Sequence, residues 1–327
     1  MCLRAAMALK QVMEASELLD GNVNGQMVSE ALRAMGLKDV EARTVRSDRG
    51  STDFIRVMIR GTEGRTSAGN VPTLGIVGRL GGIGARPERI GLVSDADGAI
   101  TAVATAMKIA QMAQKGDHLP GDVIIATHIC PDAPTIPHHP VPFMDSPVDM
   151  YTLNKHEVSE DMDAIISVDT TKGNRILNHR GIAITATVKS GYIMPVSEDL
   201  LDIVARVTGK LPEVLPITTF DVTPYGNGLP HINSIMQPSV ATACPVVGVA
   251  ITTQTTVAGC ATGASHEADI AEAVRFCIET AKELKRGLGI FYDQSAYEKA
   301  ISLYGELKVL QDGMLEGLVG EGDGSNA

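Results

Sequence analysis

The pattern of hydrophobic and polar residues along the chain predicts a series of helices and strands. Apolar residues recur at helical spacing over roughly the first forty residues. Strand-like apolar runs follow at 54–59, 74–78, 90–93, 123–127, 164–168, 182–188, 214–217 and 246–251. The run at 182–188 alternates like a half-solvated strand. Further helical patterns cover 99–114, 197–209, 267–285 and 297–310.

The order of these elements indicates the fold class. Strands that alternate with long helices are typical of α/β proteins. We predict a three-layer structure, in which a mixed, mostly parallel sheet carries helices on both faces. Residues 1–320 are expected to form a single α/β domain, with room for a small inserted subdomain. The polar, glycine-rich tail at 321–327 is expected to be disordered.

Composition and charge narrow the classes of partner. The 327 residues carry a net charge of −11, so no basic field would attract a nucleic acid or an anionic membrane. No apolar stretch reaches the roughly 18 residues of a spanning helix. Five widely spaced cysteines without a CxxC motif predict free thiols, which fits a cytoplasmic protein. We expect a small-molecule substrate and a homo-oligomer.

Side chains that can bind metals lie at the ends of predicted strands. Asp95, His128 and Asp169 each follow an apolar run, and His266 precedes a helix. The carboxyl ends of parallel strands share one edge, so these four residues can converge there as ligands of a divalent cation. The alternatives are a helix cap for Asp95, a core histidine for His128, a turn cap for Asp169 and an exposed His266.

Further residues near these positions can complete an active site. Asp132 follows His128 in Thr-His-Ile-Cys-Pro-Asp and is the first candidate for general base, with Glu267 as the second. The guanidinium of Arg79 suits a substrate carboxylate. His231 and Asn233, in a polar glycine-rich loop, are candidates for substrate binding.

Three segments, 91–106, 127–134 and 140–149, resemble a bacterial and archaeal family known as domain of unknown function 1177. More remotely, the layout is similar to the co-catalytic zinc aminopeptidases and related deacylases. That resemblance implies a bridging Asp at Asp95, a second Asp at Asp169 and a late His at His266. The early His-x-Asp and the Glu pair of those enzymes would fall near 78–81 and 130–131, where this chain has neither. An intact dinuclear site is therefore not expected.

These observations lead to one hypothesis and two alternatives. The leading hypothesis is a hydrolase that cleaves a short peptide, an N-acyl amino acid or a cyclic amide with water activated by a divalent metal. We expect zinc, with manganese as the alternative. The first alternative is a metabolite-binding protein without turnover on a degenerate metallopeptidase scaffold. The second is a cysteine amidase that uses Cys130 and His128.

Overall fold

The computed structural model describes residues 8–20, 22–83, 92–139, 142–255 and 265–311. The helices in these ranges are α1 Leu9–Leu18, α2 Gly25–Ala34, α3 Asp97–Gln114, α4 Met150–Glu157, α5 Glu198–Thr208, α6 Glu267–Glu283 and α7 Gln294–Tyr304. The strands are β1 Asp39–Ser47, β2 Gly50–Ile59, β3 Leu74–Gly78, β4 Val123–Ile129, β5 Thr135–Ile136, β6 Phe143–Met144, β7 Ala164–Thr170, β8 Gly181–Ile184, β9 Val188–Lys189, β10 Tyr192–Ile193, β11 Glu213–Val214 and β12 Val246–Thr252.

A mixed sheet runs through the described residues, with its strands in the order β1-β2-β4-β3-β7-β12-β8-β11. Strands β4, β3, β7 and β12 are parallel. Strand β2 is antiparallel to β4, strand β8 is antiparallel to β12, and β11 is parallel to β8. The carboxyl ends of the four parallel strands therefore lie along one edge, which we call the carboxyl edge.

The sheet has a hydrophobic core on each face. In β12, Val247, Val249 and Ile251 pack into one core, while Val246 and Ala250 pack into the other. Helices α1, α3, α5 and α6 contact one another on the first face, and α4 and the 3-10 helix Ser234–Ala241 cover the second. The α/β class is thus confirmed, and the likeness to zinc aminopeptidases stays a prediction.

Helix α3 begins very close to the end of β3 because two glycines meet there. A Cβ added to Gly98 would lie 1.9 Å from the Arg79 carbonyl oxygen, and one added to Gly78 would lie 2.2 Å from the Gly98 oxygen. No side chain fits at either position. This contact brings the first turn of α3, and the residues just before it, to the carboxyl edge.

Several predicted elements differ from the observed ones. The run at 182–188 forms two short strands, β8 and β9, and β8 is buried throughout. The run at 214–217 keeps only β11, and the last predicted helix ends at Tyr304, before Gly305. Of the predicted strand at 90–93, residues 90 and 91 lie outside the described residues, as does the tail. Leu92 and Val93 are irregular.

Candidate active site at the carboxyl edge

Asp95 and Asp169 are two buried carboxylates that interact at the carboxyl edge. Asp95 lies in the 3-10 turn Ser94–Ala96 that leads into α3, and Asp169 is the penultimate residue of β7. Each side chain is almost fully buried, with 4% of its residue surface exposed. Burial and the charge of Asp95 raise the pKa of Asp169 to about 7. The structure therefore brings together two of the predicted ligands.

Both oxygens of Asp169 accept hydrogen bonds that fix the carboxylate in place. The Thr170 amide donates to Oδ1 at 2.7 Å, and the Ser234 hydroxyl donates to Oδ2 at 2.7 Å. On the other side of the pair, Asp95 Oδ2 lies 2.5 Å from the position that a Cβ on Gly82 would occupy. Only glycine at this position leaves room for the Asp95 carboxylate.

Tyr225, which the sequence analysis did not identify, brings a phenol close to Asp169. Its ring lies 4.5 Å from that of His231, and its hydroxyl interacts with Ser234. Burial and the charges of Asp169 and Asp221 raise its pKa, so the phenol stays protonated and able to donate a hydrogen bond. Tyr225 lies in a turn and Ser234 begins the 3-10 helix Ser234–Ala241, and no apolar pattern in the sequence marks either residue.

A third carboxylate, that of Asp97, is fully buried beside the pair. Lys172 Nζ lies 3.0 Å from its Oδ2, and the Ser265 hydroxyl donates to its Oδ1 at 2.5 Å. Burial raises the pKa of Asp97, although the Lys172 charge opposes that shift. These contacts join the start of α3, the segment after β7 and the residue before His266, and so define the shape of the carboxyl edge.

Arg79 and His128 form a buried network with Glu157, the last residue of α4. The Arg79 guanidinium is completely buried and donates to Glu157 Oε2 at 2.6 Å through Nε and to Asn154 Oδ1 at 2.6 Å through Nη2. His128 Nδ1 lies 2.5 Å from Glu157 Oε1, and its Nε2 accepts a hydrogen bond from the Gly81 amide at 3.1 Å. Burial alone would raise the pKa of Glu157, but Arg79 and His128 hold it below its usual range.

This network changes how the two predicted residues can act. Both ring nitrogens of His128 are engaged within the chain, so neither has a lone pair left for a cation in this arrangement. Arg79 is covered and already paired, so it does not face a substrate carboxylate. The same geometry leaves Cys130 without His128 as its base, and the Cys130 thiol instead contacts the Ser51 carbonyl at 3.4 Å.

The other predicted site residues lie around the rim of the carboxyl edge. Asp132 is half-buried in the turn after β4, and His266 and Glu267 are exposed at the start of α6. The His231 ring contacts the backbone of its own loop, at the Leu229 and Thr223 carbonyl oxygens. Asn233 precedes Ser234, and its Nδ2 is shielded from solvent without a hydrogen-bond partner among the described residues.

Within the part of the chain that the structure describes, no group of three or more His, Cys, Asp or Glu side chains has an arrangement that can hold a metal ion. The full ligand set predicted from the sequence is therefore not assembled by these residues. No described helix is long and apolar enough to cross a membrane.

Comparison with known proteins identifies a family. A family model described as "Protein of unknown function (DUF1177)" matches residues 43–313, which is well over half of the chain. No curated protein matches the sequence.

Proposed function

The chain belongs to the DUF1177 family, and we propose that it is a hydrolase of a small amide whose active site is built on Asp95 and Asp169. The observation that carries the proposal is the burial of two interacting carboxylates at one sheet edge. Burying a carboxylate beside another carboxylate is unfavourable unless a proton or a cation compensates the charge. A divalent cation is the compensating group that fits a hydrolase.

The donor chemistry favours Mn²⁺ or Mg²⁺ over the zinc expected from the sequence. With His128 engaged by Glu157 and Gly81, the buried donors of the pair are oxygens only. Oxygen ligands suit Mg²⁺ and Mn²⁺, and Mg²⁺ is commonly held by one or two carboxylates plus waters. A cation bound there would polarise the amide carbonyl and lower the pKa of a bound water. The predicted ligand His266 does not form a three-residue ligand group with the two aspartates in the structure, so water molecules would complete the coordination of the cation.

The surrounding residues orient the reacting groups. Ser234 holds Asp169 in one rotamer, while the protonated Tyr225 can donate a hydrogen bond to the oxyanion that develops from the amide carbonyl. The unpartnered Nδ2 of Asn233 is a further donor for the substrate. Asp132 and Glu267 remain candidates for the general base, since Asp132 follows β4 and Glu267 begins α6 at this end of the sheet. Arg79 and His128 act through their buried network with Glu157, which stabilises the structure around the site.

The pKa of Asp169 favours a second candidate, a metal-free acid–base site. Two carboxylates that share one proton can act as general acid and general base, as in aspartic proteases. A pKa of about 7 keeps Asp169 half-protonated near neutral pH.

Two measurements test the proposal. The first is calorimetric titration of chelator-treated protein with Mn²⁺, and the second is an assay for the amine released from N-acetyl amino acids and dipeptides. We expect Mn²⁺ to bind wild type and to bind Asp95→Asn and Asp169→Asn at least ~100-fold more weakly. Asp161→Asn, which changes an exposed carboxylate, is the control and should bind as wild type.

Three other outcomes separate the alternatives. Mn²⁺ affinity that is unchanged in both pair variants would refute the cation site. Hydrolysis that persists in chelator and disappears in Asp169→Asn would establish the acid–base site instead. Ligand binding with no hydrolysis of any amide would indicate a binding protein.

A further inference from the structure

A polar cavity opens at the carboxyl edge, on the far side of β12 from Asp169. It has a volume of about 450 Å³ and lies between Gln254, two residues after β12, the residues just before β8, and the first turns of α6. Thr252, the last residue of β12, pairs with Gly181, the first residue of β8, so both segments reach this edge together. The charged and amide residues that line it include His179, Arg180, Lys210, Gln254, Asp269 and Glu272.

The charges in this cavity are balanced and arranged by depth. Arg180 Nε lies 3.5 Å from Asp269 Oδ1, and Lys210 Nζ lies 3.2 Å from Glu272 Oε1. The two carboxylates are the covered partners, with 4% and 11% of their side chains exposed. The two cations are the open partners, at 59% and 44%. Negative charge therefore lies deep in the cavity, and positive charge lies at its mouth.

In each of these two carboxylates, one oxygen takes no part in the ion pair. Asp269 Oδ2 and Glu272 Oε2 are shielded from solvent and have no hydrogen-bond partner among the described residues. A covered carboxylate oxygen without a donor is strongly unfavourable. The cavity thus lacks a donor at its deep end, and an ammonium group, with three N–H bonds, supplies one.

The position of Glu272 depends on a glycine. Gly181 has a φ of +119°, and a Cβ added to it would lie 2.6 Å from Glu272 Oε2. A side chain at this position would force the Glu272 carboxylate to move. The main chain at the start of β8 is therefore shaped to receive this carboxylate.

We propose that this cavity binds a small zwitterion of the amino-acid type. Its ammonium group faces Asp269 and Glu272 at the deep end, and its carboxylate faces Arg180 and Lys210 at the mouth. A ligand with only one charge would interact with the carboxylates or with the cations of the cavity, but not with both. The proposal does not depend on the hydrolase site, because the two sites share no residue.

Calorimetric titration of the full chain with L-alanine tests this proposal, with ethylamine and propionate as probes that carry one charge each. We expect saturable binding of L-alanine and affinities for both single-charge probes that are at least ~tenfold weaker. Glu272→Gln should weaken L-alanine binding by at least ~tenfold, since it removes one buried charge. Asp169→Asn should bind L-alanine as wild type does, whether or not the hydrolase proposal holds.

A matched control comes from the same helix. Glu279 is as covered as Glu272 and also pairs with a lysine, Lys282 at 2.9 Å, but it lies outside the cavity. Glu279→Gln should leave L-alanine binding unchanged. Absence of saturable binding up to about 10 mM L-alanine, equal affinity for ethylamine, or equal loss in Glu279→Gln would each overturn the zwitterion site. Melting curves of each variant establish that it is folded.

Discussion

Glu157 Oε1 lies 2.5 Å from His128 Nδ1, and this contact ties the end of α4 to the middle of the sheet. The other oxygen of the same carboxylate accepts from Arg79 at 2.6 Å. All three side chains are almost completely buried. Glu157 therefore neutralises the Arg79 charge and determines which nitrogen of His128 carries the hydrogen.

Replacing Glu157 should destabilise the protein severely. Glu157→Gln keeps the shape of the side chain but leaves Arg79 as an uncompensated buried charge, which costs about 3–5 kcal/mol. Urea denaturation at neutral pH measures the loss. Glu160→Gln is the control, because Glu160 is exposed and should change the free energy of unfolding by less than about 0.5 kcal/mol.

The low pKa of Glu157 also leads us to predict that the protein loses stability in acid. Its pKa is lower in the folded protein than in the unfolded chain, where it is about 4.3. The stabilisation from Glu157 is therefore present above about pH 4.3 and is lost as the pH falls through the lower folded value. Glu157→Gln should lack this part of the acid dependence, and an identical acid profile would contradict the assigned charge network.

Asp169 should have the opposite pH dependence in chelator-treated protein. Its pKa is about 7 when folded and about 4 when unfolded, so the folded state holds the proton more tightly. The resulting stability is fully present below about pH 4 and is lost as the pH rises to about 7. Asp169→Asn should remove this slope and be more stable than wild type at pH 8 by about 2–4 kcal/mol.

Denaturation midpoints at pH 5 and pH 8 check this prediction for wild type, Asp169→Asn and Asp161→Asn. The exposed Asp161 should leave the slope unchanged. A variant at 169 that is less stable than wild type at pH 8 would show that the carboxylate is compensated in the folded protein. A gain in stability with loss of hydrolysis is the pattern expected of a residue retained for function.

Because α3 contacts the end of β3 so closely, we predict that replacing Gly98 strongly destabilises the protein. In Gly98→Ala the new methyl group would lie 1.9 Å from the Arg79 carbonyl oxygen, so α3 must move away from the carboxyl edge. We expect a loss of at least about 2–3 kcal/mol in the free energy of unfolding. Gly289→Ala is the matched control, because a Cβ at that position meets nothing within 4 Å. Comparable losses in both variants would contradict the close contact.

Two of the described cysteines should be unreactive in the folded protein. Burial raises the pKa of Cys244 to about 11 and that of Cys277 to about 12, so almost no thiolate forms at pH 8. Iodoacetamide should therefore label neither residue before unfolding, and both in urea, as peptide mass spectrometry can measure. Rapid labelling of either in folded protein would contradict this burial.

The centre of the sheet is readable from the sequence, whereas its edge is not. Strands β3, β4, β7 and β12 are buried on both faces and therefore appear as continuous apolar runs. Strand β1 lies at the edge, where most of its side chains are exposed, so no apolar alternation marks it. The sequence pattern does not reveal helix α4 either, since two of the three residues that it buries, Asn154 and Glu157, are polar.

The residues of the candidate site also fall into those that the sequence predicts and those that it does not. Asp95 and Asp169 could be grouped because each ends an apolar run beside a shared edge. The role of His128 could not be predicted from its strand position, because it depends on Glu157, a buried acid at the end of a polar helix. Tyr225, in a turn, and Ser234, at the start of a 3-10 helix, reach Asp169 from segments that the hydrophobic pattern does not reveal.

The close contact between Gly181 and Glu272 makes these two positions informative about the relationships among related sequences. Because a methyl group at position 181 would displace the Glu272 carboxylate, we expect descendants of this chain that replace the glycine to change the residue at 272 as well. The two positions should therefore be inherited as a unit. Among related sequences, a glycine at 181 together with an acid at 272 would distinguish lineages that retain the zwitterion cavity from those that have lost it.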